Sequence, residues 1–284
     1  MALLLKGQPV AAALDEETAL RAGRLSDQGI LPTLAIVRVG AREDDLSYER
    51  SAMKRCAKLG IAVQNVVFEE TIDPDTFFHT LHEINENPAV HGILLFRPLP
   101  AGLDGEKARC MICPDKDVDG CTDGSLAGVF TNTAVGFAPC TAQAAMEICR
   151  FYGIDPCGKR CVIIGRSLVI GRPVAMMMMH ANATVTICHT RTRDISSVIR
   201  EADIVVCASG QLRSIGAESL CPGQVVIDVG IGWSEELQKL CGDVRTEEAE
   251  PVVAAVTPVP GGVGSVTTSM LARHVVEAAE RRQV

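Results

Sequence analysis

Apolar positions along this chain change period repeatedly. "VAAALDEETALRAGRLSDQ" (10–28) has helical spacing, and "TLAIVRVG" (33–40) after it reads as a buried strand. Residues 47–60 return to the helical period and stop at Gly60, a C-terminal cap. "AVQNVVFEE" predicts a strand, residues 74–86 a helix, and "VHGILLFRPLP" a strand that its prolines end. After a helix over 141–154 the alternation starts again. "RCVIIG", "ATVTICH", "DIVVCASG" and "QVVIDVGIG" read as strands, with "RPVAMMMMHA" and "DISSVIREA" as helices among them. "TTSMLARHVVEAAERRQ" closes the chain as a last helix. Strands alternating with helices predict βαβ units and a mainly parallel sheet, so the class is α/β.

Composition narrows the partners. The 284 residues suffice for two modest domains. Only 4% are aromatic, so aliphatic side chains must build the core. A net charge of −8 and a pI near 5.3 argue against nucleic acid or an anionic membrane as the main partner, because both call for a basic face. The apolar run "ALLL" is too short for a signal peptide, Lys6 follows it, and no stretch has the length of a membrane span. A cytoplasmic protein is expected. The twelve cysteines are scattered, mostly in apolar runs, and read as buried free thiols. The pair Cys110 and Cys113 lacks a second CxxC, and the six histidines form no array, so no metal site is expected. Met176 to Met179 read as helix-to-sheet packing.

"VIIGRSLVIGRP" (162–173) places Gly165 at a strand end, then a polar loop with Arg166 and Ser167, then Gly171 at a helix start. Backbone N–H groups at such a helix N-terminus meet phosphate in dinucleotide-binding turns. The spacing is not G-x-G-x-x-G, so the loop alone also fits a plain βα turn. An NAD enzyme places an acid about 20 residues on, to hold the ribose hydroxyls. Here that place holds His189, Thr190 and Arg191. A basic end with Arg166 nearby suits the 2′-phosphate of NADP, with NAD possible; the plain alternative is that Arg191 points into solvent.

"PDKDVDG" (114–120), "PCT" (139–141), "GRSLVIGRP" (165–173) and "TPVPGGVG" (257–264) occur in one order at fitting distances. Together they resemble the methylenetetrahydrofolate dehydrogenase/cyclohydrolase family over essentially the whole chain. The resemblance implies two α/β domains around a cleft and a homodimer. A folate-binding catalytic domain would take residues 1–142 plus 268–284, and a Rossmann-like NAD(P)-binding domain 143–267. It implies oxidation of 5,10-methylene-tetrahydrofolate to the methenyl form, which most members then hydrolyse. Tyr48 matches the tyrosine that stacks on the folate and Asp119 the carboxylate that bonds the pterin, while Pro260, Gly261 and Gly262 match a loop beside both ligands. The chemistry agrees, since a flat bicyclic ring wants an aromatic face and its amino edge wants an acceptor. Taken alone, Asp119 could equally be a turn residue before Gly120.

The departures carry more information. The family's catalytic lysine, four residues after the tyrosine, is here Ala52, and its glutamine partner in "QLPLP" is Phe96 in "FRPLP". Asp45 stands for a serine, Ala142 and Ala144 for the proline and glycine of "PCTPxG", and Ser265-Val266 for the "PM" of "GGVGPMT". A helix turns ~100° per residue, so position +6 lies about 120° from the tyrosine's face. Lys54 is therefore expected to be a solvated charge, and Arg55 a poor base because it stays protonated. Removing hydride from a carbon between two nitrogens needs mainly alignment, whereas hydrolysis needs proton transfers. The expected activity is a dehydrogenase with weak or absent cyclohydrolase; a bifunctional enzyme or a non-catalytic folate-binding protein are the alternatives.

Overall fold

A computed structural model describes residues 1–282, so Gln283, the last residue expected in the final helix, lies outside the described residues. The chain divides into two compact units, one of Met1–Ala12 with Thr141–Thr267, the other of Ala13–Cys140 with Thr268 onward. Strand β1 (Leu3–Leu4) and helix α1 (Gly7–Asp27) open the chain. Next come β2 (Thr33–Val39), α2 (Glu43–Lys58), β3 (Ala62–Phe68), α3 (Pro74–Glu86) and β4 (Gly92–Leu95). These strands form a parallel sheet in the order β3-β2-β4, with β2 central and buried along nearly its whole length. Phe77, Leu81 and Ile84 of α3 pack on Ala35, Val37, Ile93 and Leu95 of that sheet.

Helix starts here follow local chemistry. α2 begins earlier than its apolar period, because Glu43, Asp44 and Asp45 occupy its first turn, where the helix dipole favours anions. It ends as expected before Gly60, whose φ is 73°. Asp73 caps α3 by accepting from Thr76 N at 2.9 Å. Two short helices, α4 (Gly105–Met111) and α5 (Asp123–Thr131), were not expected. Their signals were caps rather than periods: Asp104 accepts from the N–H groups of Glu106 and Lys107, and Thr122 from that of Ser125.

The other unit follows α6 (Cys140–Phe151) with β5 (Arg160–Ile164), α7 (Gly171–His180), β6 (Thr184–Cys188), α8 (Ile195–Arg200), β7 (Ile204–Cys207) and β8 (Val225–Asp228). Then come β9 (Gly232–Ser234), β10 (Lys239–Cys241), α9 (Thr246–Ala249), β11 (Ala255–Val256) and α10 (Thr267–Arg281). Six parallel strands run in the order β1-β11-β8-β7-β5-β6, and β9 with β10 makes a separate antiparallel hairpin. Met178 is fully buried beside Cys161, while Met179 is exposed, so the methionine run packs α7 on one side only. β1 corrects the expected boundary, which kept residues 1–142 together. Leu3 N bonds Ala254 O and Leu5 N bonds Val256 O, at 2.8 and 2.9 Å, so the first residues extend the six-stranded sheet. A two-residue strand has no period to read, and only its pairing reveals it. No helix of the described residues is long and apolar enough to cross a membrane.

Candidate active site

In the unit of Ala13–Cys140, α2 is clamped to the sheet by a buried carboxylate. Glu49 takes Arg38 Nε of β2 at 2.6 Å and Asn65 Nδ2 of β3 at 3.0 Å. That clamp fixes the rotation of α2 and so turns Tyr48 toward the end of β4. The Tyr48 ring meets the Phe96 ring edge-on, with centroids 6.0 Å apart and planes at 84°. One turn on, Ala52 is 1% exposed, so only a methyl group occupies that place. Lys54 is exposed, in keeping with its expected face. Arg55 is committed elsewhere: it pairs with buried Asp15 at 2.6 Å, which also receives Lys58 at 3.0 Å and the Ser269 hydroxyl at 2.9 Å.

The turn 114–120 spends its two buried charges, Lys116 and Asp117, on structure. Lys116, buried, donates to the carbonyls of Asn85 and, at 2.7 Å, Asn87 at the end of α3. Asp117, fully buried, accepts from Cys121 N at 3.0 Å and Thr122 N at 2.7 Å. Gly120 has φ of 70°, and a Cβ there would lie 2.4 Å from Pro139 N, so only glycine lets the turn meet the "PCT" segment. Asp119 is half-buried, and its carboxyl bonds the Cys140 thiol. Burial and the nearby Asp117 charge push Asp119 up to about 7, against the opposing pull of Arg97 and the thiol. Burial raises the Tyr48 phenol well above its ordinary value, and Cys140 and Asp119 add to it. Tyr48, Asp119, Cys140, Phe96 and Arg97 thus share one electrostatic neighbourhood.

Beneath them lies a buried relay of weaker groups. Cys140 Sγ is 3.2 Å from Val118 O and 3.6 Å from His274 Nδ1, which is itself 2.8 Å from Val118 O. A carbonyl only accepts, so we assign the His274 proton to Nδ1. Burial lowers this imidazole below its ordinary value, which keeps the ring neutral at physiological pH. Sequence reasoning gave no role to Cys140, His274 or Arg97. Cys140 lay in a quoted motif, but a single histidine in an apolar helix face and an arginine beside two prolines carry no periodic signal.

In the other unit, a cavity of about 340 Å³ lies at the end of β5. Gly165, Arg166, Ser167, His189, Thr190, Ala208, Ser209 and Gln211 are among its lining residues. Gly165 has φ of 125°, and a Cβ there would sit 2.1 Å from Ala208 O, so any side chain would close the floor. Ser167 Oγ accepts from Ile170 N at 3.1 Å, and Gly171 opens α7. The lining has no carboxylate among the described residues, and its glycine floor with Arg166 and Ser167 beside it suits an anionic group such as a dinucleotide phosphate. Thr190 lines the wall, whereas exposed Arg191 lies outside the lining residues. Asp243 holds the far wall: its Oδ2 accepts from Ser209 N at 2.6 Å, Ser209 Oγ at 2.8 Å and Gly210 N at 3.1 Å. Pro260, Gly261 and Gly262 belong to this unit, where Gly261 O takes Gly7 N at 2.8 Å.

Comparison with known proteins places both halves of the chain in one family. Residues 5–119 match the profile "Tetrahydrofolate dehydrogenase/cyclohydrolase, catalytic domain", and residues 139–283 that of the NAD(P)-binding domain of the same family. The chain belongs to the tetrahydrofolate dehydrogenase/cyclohydrolase family. Among its relatives is the bifunctional protein FolD of Carboxydothermus hydrogenoformans, 48% identical over 99% of this chain and 98% of that one. The FolD methylenetetrahydrofolate dehydrogenase/cyclohydrolase structure from Campylobacter jejuni superposes with a TM-score of 0.96 at 35% identity, covering 99% of this chain and 100% of that one. The Trypanosoma brucei enzyme, complexed with NADP and an inhibitor, gives 0.92 at 33% identity, covering 99% and 98%. Family membership makes the enzyme class plain: an NAD(P)-binding oxidoreductase of folate one-carbon chemistry.

The raised Asp119 has a measurable consequence. Its folded value of about 7 exceeds the ordinary 3.8, so between these values the folded chain holds a proton that the unfolded chain has released. Stability from this group is therefore present below pH about 4 and is lost as pH rises toward 7. Asp228, pushed to about 7 by burial, acts in the same direction and must be subtracted. The expected outcome is that Asp119→Asn gains stability relative to the unmodified protein between pH 5 and 8. Urea unfolding of both proteins at each pH reads this difference; a pH-independent gap would show that Asp119 titrates normally.

Proposed function

We propose that this protein oxidises 5,10-methylene-tetrahydrofolate to the methenyl form with NADP, and that it hydrolyses the methenyl product weakly or not at all. The single observation that carries the reading is the apolar pair at the catalytic positions. Ala52 is buried where the family pattern has lysine, and Phe96 packs on Tyr48 where it has glutamine. Bound in the β5 cavity, the nicotinamide cofactor would take up the hydride. Tyr48 would offer its ring face to the pterin, and Asp119 would accept from the pterin amino edge. Pro260, Gly261 and Gly262 would lie beside the ligands. The methenyl cation spreads its charge over two nitrogens, so alignment suffices for oxidation. Hydrolysis calls for a positioned acid or base, commonly worth 10²–10⁴-fold. Exposed Lys54 and Asp15-bound Arg55 offer no such group, and in this reading Asp119 is committed to the pterin edge. A second reading, a bifunctional enzyme, draws support from the relatives' names.

The test is methenyl-tetrahydrofolate decay in a buffer that does not itself catalyse it. Methenyl product should accumulate during turnover and decay at its spontaneous rate, with or without protein. Ala52→Lys alone should recover little hydrolysis; with Phe96→Gln it should recover more than both singles summed, since groups that act as a unit are non-additive. Enzyme-dependent decay in the unmodified protein, abolished by Lys54→Ala, would establish the bifunctional reading. If reduced cofactor never forms from methylene-tetrahydrofolate, the protein is a folate binder.

NADP is proposed over NAD because Arg166 lines a cavity without a carboxylate. Arg166→Ala should weaken NADP by ~10-fold or more, the scale of one charge-assisted hydrogen bond, and NAD by much less. Equal losses in a fluorescence titration of the two cofactors would reject the assignment.

A cytoplasmic homodimer is proposed through the cofactor unit. β6 is an edge strand that exposes Thr184, Thr186 and Ile187, and a bare apolar edge is a template for pairing. Sedimentation at micromolar concentration should show a species near twice the 30.2 kDa chain mass. A lone chain-sized species would remove the dimer.

A further inference from the structure

Arg97 is the cation of the folate-site neighbourhood that the proposed mechanism leaves unused. It follows Phe96, whose N–H bonds Val37 O at 3.0 Å and whose ring abuts Tyr48, so its backbone is anchored at the end of β4. Its charge acts on both Asp119 and Cys121, so the guanidinium lies within electrostatic reach of the turn that carries Asp119. Asp117 does not neutralise it by default, since both its oxygens already serve Cys121 N and Thr122 N. The Arg97 Nε is buried with no hydrogen-bond partner among the described residues. A buried N–H of a charged group left unpaired costs more than a neutral one, so this group calls for a partner.

The shape of the missing partner follows from what Asp119 can and cannot do. The amino-amide edge of a pterin presents, in order, a 2-amino group, an N3–H and a 4-oxo oxygen. The first two donate and the third accepts. A carboxylate serves the donors and repels the oxygen. A guanidinium beside it is the complement, with planar donors on the oxygen's side. We infer that Arg97 is a specificity residue whose guanidinium donates to the 4-oxo group of the pterin while Asp119 accepts from N3–H and the 2-amino group. This inference rests on the folate reading above. It gives the site a polar fingerprint of acceptor beside donor, which a 4-amino pteridine violates by presenting a donor to a cation.

The experiment compares two ligands on three proteins. Tetrahydrofolate and its 4-amino-4-deoxy counterpart are titrated calorimetrically, with reductant, into the unmodified protein, Arg97→Leu and Arg97→Gln. The ratio of affinities, 4-oxo over 4-amino, should fall ~10- to 100-fold in Arg97→Leu, the range of one charge-assisted hydrogen bond. Arg97→Gln keeps a neutral donor and should lose roughly tenfold of that ratio; it carries the test alone if the leucine variant does not fold. NADP affinity should stay unchanged in both. Equal weakening of the two ligands, or an unchanged ratio, overturns the inference while folate binding by the unmodified protein upholds the reading beneath it. If the unmodified protein binds neither ligand, the folate reading fails, and the assignment of Arg97 fails with it.

Discussion

A lysine ammonium set on the carbonyl end of a helix holds the segment that the folate site stands on. The last carbonyls of a helix lack intrahelical partners and carry partial negative charge. Lys116 satisfies those of Asn85 and Asn87, and burial lowers it only to about 8, so it stays charged at neutral pH. The turn is thereby pinned to the end of α3, which is itself packed on the sheet through Phe77 and Leu81. Asp117 then locks the far side of the turn on two backbone N–H groups. With its neighbours consumed in this way, Asp119 is the carboxylate of the turn left half-buried, its one side-chain partner among the described residues the weakly donating Cys140 thiol. Sheet, helix and turn act as one support for a single oxygen pair.

The cofactor unit also uses buried carboxylates to hold backbone. Asp243 is fully buried, and one of its oxygens gathers the three donors of Ser209 and Gly210. Asp228 beneath it accepts from Gly230, Asp243 and Val244 N–H groups. These carboxylates shape the wall of the cavity without lining it. In both units buried carboxylates hold backbone N–H groups beside the candidate site.

How much of this could be read beforehand follows from the kind of signal each residue gives. Long buried strands and amphipathic helices announce themselves by period, so β2, α2, α3 and β5 lay where expected. The rotation of α2 was legible too, because Tyr48 and Lys54 differ by a fixed angle along one helix. Pairing and caps carry no period. Hence β1 was assigned to the wrong unit, and α4 and α5 were passed over. Asp119 and Tyr48 stood out because their residue types match a ligand. Arg97, Cys140 and His274 did not, since an apolar-looking context hides a polar atom until its partners, or their absence, are seen.

The charge of the site is where these strands of argument meet. In the family pattern a lysine on α2 supplies a cation that can also give up its proton. Under the proposed reading, α2 presents a methyl at Ala52, and the cation is Arg97 at the end of β4. The two are not equivalent. An ammonium can be tuned toward neutrality and shuttle protons, whereas a guanidinium keeps its charge and fixes the orientation of planar groups. Oxidation asks for orientation and hydrolysis for proton traffic. Moving the cation from one element to another and changing its type therefore separates the two reactions at their source: Arg97 can hold the pterin in line for hydride loss, and nothing about a permanently protonated group beside the Phe96 ring helps a water molecule lose its proton.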